Sequence, residues 1–237
     1  MTSKTAMMMM TIRHGRAPVL LILLILLCNG KLSGQQKDFQ SWYSLTLNKG
    51  LNSGIDLSLE GEQRFEDNSL QYDRSVLTLS ADYDLTGWLN AEVGVRGLVR
   101  MNRERRLRLQ YRLHADATLE HGIWLLDCSL RSRLQYGFDE LDFISDPGGS
   151  KLVNRNRLEA GYDIFGTRIG VSAYVESFHQ LNGSPIRSFY KMRYSATIQY
   201  MLNFRSDISL RYILEDEFNV TDPLQAHILV LGYSYDF

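Results

Sequence analysis

The 237-residue sequence predicts an all-β fold: a transmembrane, antiparallel up-and-down β-barrel of about 10–12 strands, with short periplasmic turns and longer outer loops. Three observations predict it. From Phe39 onward the chain is a succession of segments with a two-residue apolar/polar period. An export signal precedes them. The last segment, Ala226–Phe237, sets Leu229, Leu231, Tyr233, Tyr235 and a terminal Phe237 on one face. Aromatics at a strand end suit the water–lipid boundary.

The signal comes first. Val19–Leu27 is a nine-residue apolar run preceded by Arg13 and Arg16. It is too short to cross a bilayer as a helix and suits a signal-peptide core. Leu26 and Leu27 argue against a lipoprotein site at Cys28. Cleavage after Gly34 divides the chain into a signal peptide, 1–34, and a single barrel domain, 35–237. The signal carries Lys4, Arg13, Arg16 and Lys31 and no acid, so its removal takes the net charge from −1 to −5. A mildly acidic chain gives no case for nucleic-acid binding. Only Cys128 remains, so no internal disulfide is available. With 22% charged residues and mean hydropathy −0.21, the chain is too polar for a helical membrane bundle. Half-polar strands give that average directly.

The segments fall at 39–48, 55–66, 72–85, 88–101, 105–119, 123–138, 151–164, 168–179, 187–202, 207–217 and 225–237. Most exceed the usual soluble strand and suit tilted membrane strands. Within 55–66, Ile55, Leu57, Leu59 and Phe65 alternate with Asp56, Ser58, Glu60, Glu62 and Arg64. Within 105–119, Leu107, Leu109, Tyr111 and Leu113 alternate with Arg106, Arg108, Gln110 and Arg112.

Alternation does not say which face is inside. A soluble, exported lipocalin-like barrel would bury the apolar face. The inverted arrangement is favoured by connectors that alternate in length. Thr86-Gly87, Glu120-His121-Gly122 and Phe165-Gly166-Thr167 are tight, whereas Asp139–Ser150 and Gln180–Ile186 are longer. Two aromatic groups add support: Tyr83, Trp88, Trp124, Tyr162 and Tyr200 near the tight turns, and Tyr72, Tyr136 and Tyr190 at the other ends. Eleven segments conflict with the even strand numbers of single-chain bacterial barrels. Either the first segment is not a wall strand, or a division is missed.

With the polar face in the lumen, the arginines fall in the outer half, and Asp82, Asp84, Asp116, Asp127 and Asp163 lie toward the periplasmic turns. The expected lumen-lining charge network is Arg74, Arg96, Arg100, Arg106, Arg108, Arg131, Arg133, Arg155, Arg157 and Arg193 with Glu60, Glu62, Glu159, Glu176 and Glu215. Two readings follow. The side chains fill a narrow interior as a hydrogen-bonded ion network, or surplus arginines make an anion-attracting vestibule.

The hairpin from Trp42-Tyr43-Ser44-Leu45 to Glu60-Gly61-Glu62-Gln63-Arg64, the spaced arginines and the ending Gly-Tyr-Ser-Tyr-Asp-Phe together resemble a family of small bacterial outer-membrane barrels known only as a domain of unknown function. The resemblance covers the mature chain. It implies a Gram-negative cell outer membrane and a porin-like fold, and supplies no activity or site residues. The expected partners are outer-membrane lipid and the barrel-insertion machinery, through the strand ending in Phe237; the small-molecule ligand is unknown.

No zinc-spaced Cys/His cluster, phosphate loop or nucleotide fingerprint occurs, so no cofactor, metal or catalytic residue is expected. The acids Asp139, Glu140, Asp142 and Asp146 form a calcium-like group in the longest loop that reads better as a solvated surface. One enzymatic alternative stands: Ser177 and His179 share an outward face with Asn154 and Asn156, a pattern for lipid hydrolysis by a triad variant. The leading expectation is a non-enzymatic barrel of structural or narrow solute-passage or binding role.

Overall fold

The computed structural model describes residues 36–51, 54–101, 107–139, 150–182 and 189–237, within a compact unit spanning Gln35–Phe237. Arg106 and the acids Glu140, Asp142 and Asp146 lie outside the described residues. The described residues form eleven strands: β1 (Gln36–Gly50), β2 (Ile55–Glu66), β3 (Gln71–Thr86), β4 (Leu89–Met101), β5 (Leu107–Ile123), β6 (Leu126–Asp139), β7 (Lys151–Asp163), β8 (Ile169–Gln180), β9 (Lys191–Asn203), β10 (Ser206–Glu217) and β11 (Leu224–Asp236). They close into one barrel in sequence order.

The closure corrects the parity expectation. Every consecutive pair is antiparallel, but β1 lies parallel to β11, from Gln36 opposite Leu224 to Asn48 opposite Asp236. The first segment is therefore a wall strand, and no twelfth is needed. Side-chain alternation is the same in either strand direction, so a parallel neighbour still puts Trp42 and Val230 inside. The Phe237 amide donates to the Asn48 carbonyl at 2.9 Å and extends the seam to the last residue.

One tight turn also moves. Glu120, His121 and Gly122 are paired within β5 and β6, opposite Ser129, Cys128 and Asp127. The turn is Trp124-Leu125 instead, with Trp124 at a φ of 62°. A positive φ at a central residue gives a two-residue hairpin the twist its strands need, and this one is met without glycine. Connectors at the end shared by Phe237 span 51–54, 87–88, 124–125, 164–168 and 204–205; those at the other span 67–70, 102–106, 140–150, 181–190 and 218–223. These are the short-turn and long-loop ends.

The wall is apolar outside and polar inside. Leu77, Val93, Leu158 and Ile198 are more than half exposed, and the same face carries Leu45, Leu59, Leu113, Leu130, Leu210 and Leu231. A continuous band of this kind is far beyond the apolar patches of soluble monomers, so the lipocalin-like arrangement is excluded. Four of the short connectors carry an aromatic: Trp88, Trp124, Phe165 and Phe204. Inside, Trp42, Ile213, Ala226, Ile228 and Val230 form an apolar cluster on the seam side, and Val76, Leu98, Val153 and Phe178 are buried elsewhere on the inner face.

Candidate functional site: the charged lumen

Strand register assembles the charges. On the inward face Glu92 lies opposite Asp116, Asp116 opposite Arg133, and Arg133 opposite Arg155. Two residues along, Arg131 lies opposite Arg157, Arg157 opposite Glu176, Glu176 opposite Arg193, and Arg193 opposite Glu215. Directly opposed like charges repel. Arg131/Arg157 and Arg133/Arg155 are held together because acids flank them on both sides.

Glu176 is the hub. It is fully buried, and Arg155 Nη2 donates to both of its oxygens, at 3.0 and 2.9 Å. Arg131 Nη2 adds a bond at 2.9 Å, with Arg157 Nε at 3.5 Å and Arg193 Nη1 at 3.9 Å. Its neighbour centre is Asp116, which receives Arg133 Nε on both oxygens at 2.7 Å and has Arg131 at 3.6 Å. Arg133 also reaches Glu92 at 3.0 Å, and His114 Nε2 lies 2.7 Å from the same Glu92 oxygen. On the far side Glu215 takes Lys191 at 3.0 Å and Arg193. Charge-assisted bonds of this kind compensate desolvation only when nearly every donor finds an acceptor.

The remaining predicted residues are dispersed around this belt. Glu62 accepts Arg64 Nε at 2.8 Å, and the Arg64 guanidinium lies 3.7 Å above the Trp42 ring. Arg96 donates to Thr78 Oγ1 at 2.8 Å and lies 3.6 Å from Glu60. Arg157 also faces Glu159 at 3.7 Å and stacks 4.0 Å over Tyr174. Arg74 and Arg100 share Asp73, the latter at 3.1 Å. Arg108 is exposed and makes no ion pair among the described residues.

Two expected heights are corrected. Asp116 sits in mid-wall rather than near the short turns, because β5 runs on to Ile123. Arg131 and Arg157 are central rather than in the outer half: Arg157 is the middle residue of β7, and Arg131 is nearer the short-turn end of β6. Sequence reasoning left Asp73, Asp116, Trp42 and Arg112 out of the network. Asp73 has a discernible reason. Arg64 pairs with Arg74 but Phe65 with Tyr72, so Asp73 is the extra residue of a β-bulge. A bulge breaks the period of two and lets a residue from the outward series become buried.

Among the described residues, two cavities of the lumen meet at the arginines. The one toward the short turns is about 380 Å³ and is lined by Glu60, Glu62, Asp82 and Glu92 as well as arginines. The one toward the long loops is about 300 Å³. Arg64, Arg96, Arg155 and Arg193 line both, so four guanidiniums form a plate between them.

Glu92, His114 and Asp116 offer three ligand atoms within 4.8 Å of one another. Arg133 already bonds both carboxylates, and its positive charge opposes a metal ion there. On the outer wall His179 Nε2 lies 3.1 Å from Ser177 Oγ. The asparagines opposite them are engaged elsewhere: Asn156 donates to Asn154 at 2.6 Å, and Asn154 to Ser132 at 3.2 Å. Among the described residues no hydrogen bond orients the other ring nitrogen of His179.

Residues 39–223 match the family model described as "Protein of unknown function (DUF2490)". The chain belongs to that family. No curated protein matches its sequence. Among solved structures it is similar to one titled "NanC porin structure in rhombohedral crystal form", with a TM-score of 0.52 and 13% identity, over 84% of this chain and 99% of that one. At that identity the likeness concerns the fold: this DUF2490 member is a porin-like closed barrel with a buried Arg/Glu network.

Proposed function

We propose that this protein is an outer-membrane barrel of a Gram-negative bacterium that binds small solutes or passes them through a narrow lumen, with its short turns toward the periplasm. The inverted wall carries this reading. A band of exposed Leu, Val and Ile around a charged interior is stable only when hydrocarbon covers the outside. The porin-like fold and the aromatics on the short turns support it. On this reading Phe237 lies at the periplasmic rim, where the insertion machinery would meet it. The guanidinium plate limits passage to solutes small enough to displace or thread between side chains. No catalytic step is assigned to Ser177 and His179, whose hydrogen bond has no orienting third partner among the described residues.

Planar-bilayer recording tests this directly. Purified refolded protein is expected to give small, discrete conductance steps. Silence at all voltages would leave a plugged, structural barrel. Fractionation away from the outer membrane would overturn the location. Phospholipid hydrolysis lost on Ser177→Ala would restore the enzyme reading.

A further inference from the structure

We propose that the long-loop cavity binds one compact oxyanion, a carboxylate or a phosphate group, with Arg112 as its anchor; only its outward placement rests on the membrane reading above. The lining is unbalanced. Arg64, Arg96, Arg112, Lys151, Arg155, Lys191 and Arg193 surround about 300 Å³, with no carboxylate among the lining residues. Five of these cations have a counter-charge below or beside them: Arg64 has Glu62, Arg96 has Glu60, Arg155 has Glu176, and Lys191 and Arg193 share Glu215.

Arg112 has none. No hydrogen bond or ion pair holds its guanidinium among the described residues, and the groups bearing on its charge are Arg74, Arg96 and Arg64, opposed only by the Tyr190 phenol. Its register neighbours are Arg96 on one side and Gly137 on the other. The glycine leaves open the space that a side chain would fill; even a methyl group there would touch Arg112 Cγ at 3.5 Å. A second donor is also spare. Arg155 is deeply buried, yet its Nε has no acceptor once Glu176 has taken Nη2.

An unpaired guanidinium facing three others is unfavourable without an anion. A bound oxyanion would supply the missing charge, and the planar fork of Arg112 suits either a carboxylate or a phosphate. Low-dielectric walls strengthen that attraction. The cavity is at the small end of ligand sites, which fits a compact anion rather than a chain.

Calorimetric titration of the full barrel in detergent tests the site with sodium benzoate, inorganic phosphate and neutral benzamide. Saturable binding of benzoate or phosphate, with benzamide silent, is expected; whichever anion binds more tightly identifies the source chemistry. Arg112→Gln should weaken binding about tenfold or more, the loss of one charge-assisted fork. Arg112→Lys keeps the charge without the fork and should fall between, and it decides the matter if the glutamine variant does not fold. Lys49→Gln, outside the cavity lining, should match the parent. Equal binding of benzamide, no binding of either anion, or full affinity in both Arg112 variants would overturn the site. Binding without conductance sinks solute passage alone; conductance without binding sinks this site alone.

Discussion

Replacing Glu176 by glutamine removes one charge and almost no volume from the centre of the belt. Its consequence can be worked partner by partner. Arg193 keeps Glu215, Arg131 keeps Asp116 at 3.6 Å, and Arg157 keeps Glu159 at 3.7 Å. Arg155 keeps no carboxylate, only its bond to Gln135 at 3.3 Å, its place 4.7 Å over the Phe178 ring and a neutral amide oxygen at position 176. The substitution therefore strands one buried guanidinium rather than four. Breaking a buried pair from one side costs about 3–5 kcal/mol, and that is the loss expected for Glu176→Gln. Urea unfolding of the reconstituted barrel, followed by tryptophan fluorescence, measures it. The double variant Glu176→Gln/Arg155→Gln removes the stranded charge too and should recover most of the loss, giving a large coupling energy in the double-mutant cycle. A single-variant loss below about 1 kcal/mol, or a double variant no more stable than the single, would refute the hub.

Further outcomes probe the wall, the packing and the seam. Leu79→Arg, at mid-wall on the exposed apolar face, should cost about 2–4 kcal/mol in lipid, whereas Leu85→Arg near the short-turn rim should cost about 0–1 kcal/mol; equal costs would argue against a bilayer band. Gly94→Ala would drive a methyl group into the His114 ring and to 3.0 Å from the Leu79 carbonyl. It should lower stability by about 1–3 kcal/mol, read as a drop in the temperature at which heat-modified gel migration changes. In a Cys128→Ser background, cysteines at Leu45 and Tyr233, register partners across the parallel seam, should cross-link on mild oxidation. Cysteines at Leu45 and Leu229, four residues out of that register, should not.

The period of two made the wall legible. Because lumen and lipid impose opposite demands on successive residues, Leu57, Leu59 and Glu60, Glu62 sort themselves by position alone. The same period assigns Arg131, Arg133, Arg155, Arg157 and Glu176 to the inner face. Which charge meets which was not legible. Glu92 and Arg133 are 41 residues apart and on strands separated by another, so their bond depends on two registers at once. Nor could alternation find Asp73, which a bulge takes out of the outward series.

The seam was hidden for a different reason. Facial alternation carries no information about strand direction, so β1 reads identically beside an antiparallel or a parallel neighbour. What an odd number of strands requires is one parallel contact, and β1–β11 supplies it. Parallel pairing is slightly weaker per residue, which makes the seam the place where extra adhesion is needed. The interior supplies it there. Trp42 from β1, Ile213 from β10, and Ala226, Ile228 and Val230 from β11 form the apolar cluster of the lumen, lying across that junction. Arg64 and Arg193 extend over the Trp42 ring from β2 and β9, at 3.7 and 5.7 Å. The charge belt and the closure of the wall therefore meet at one side chain. Without the cluster, the parallel junction would rest on its backbone bonds and on the Asn48 side chain, which donates to Ser234 and Asp236 at 3.3 and 2.9 Å. Trp42 is the residue through which the network that narrows the lumen also helps keep the barrel shut.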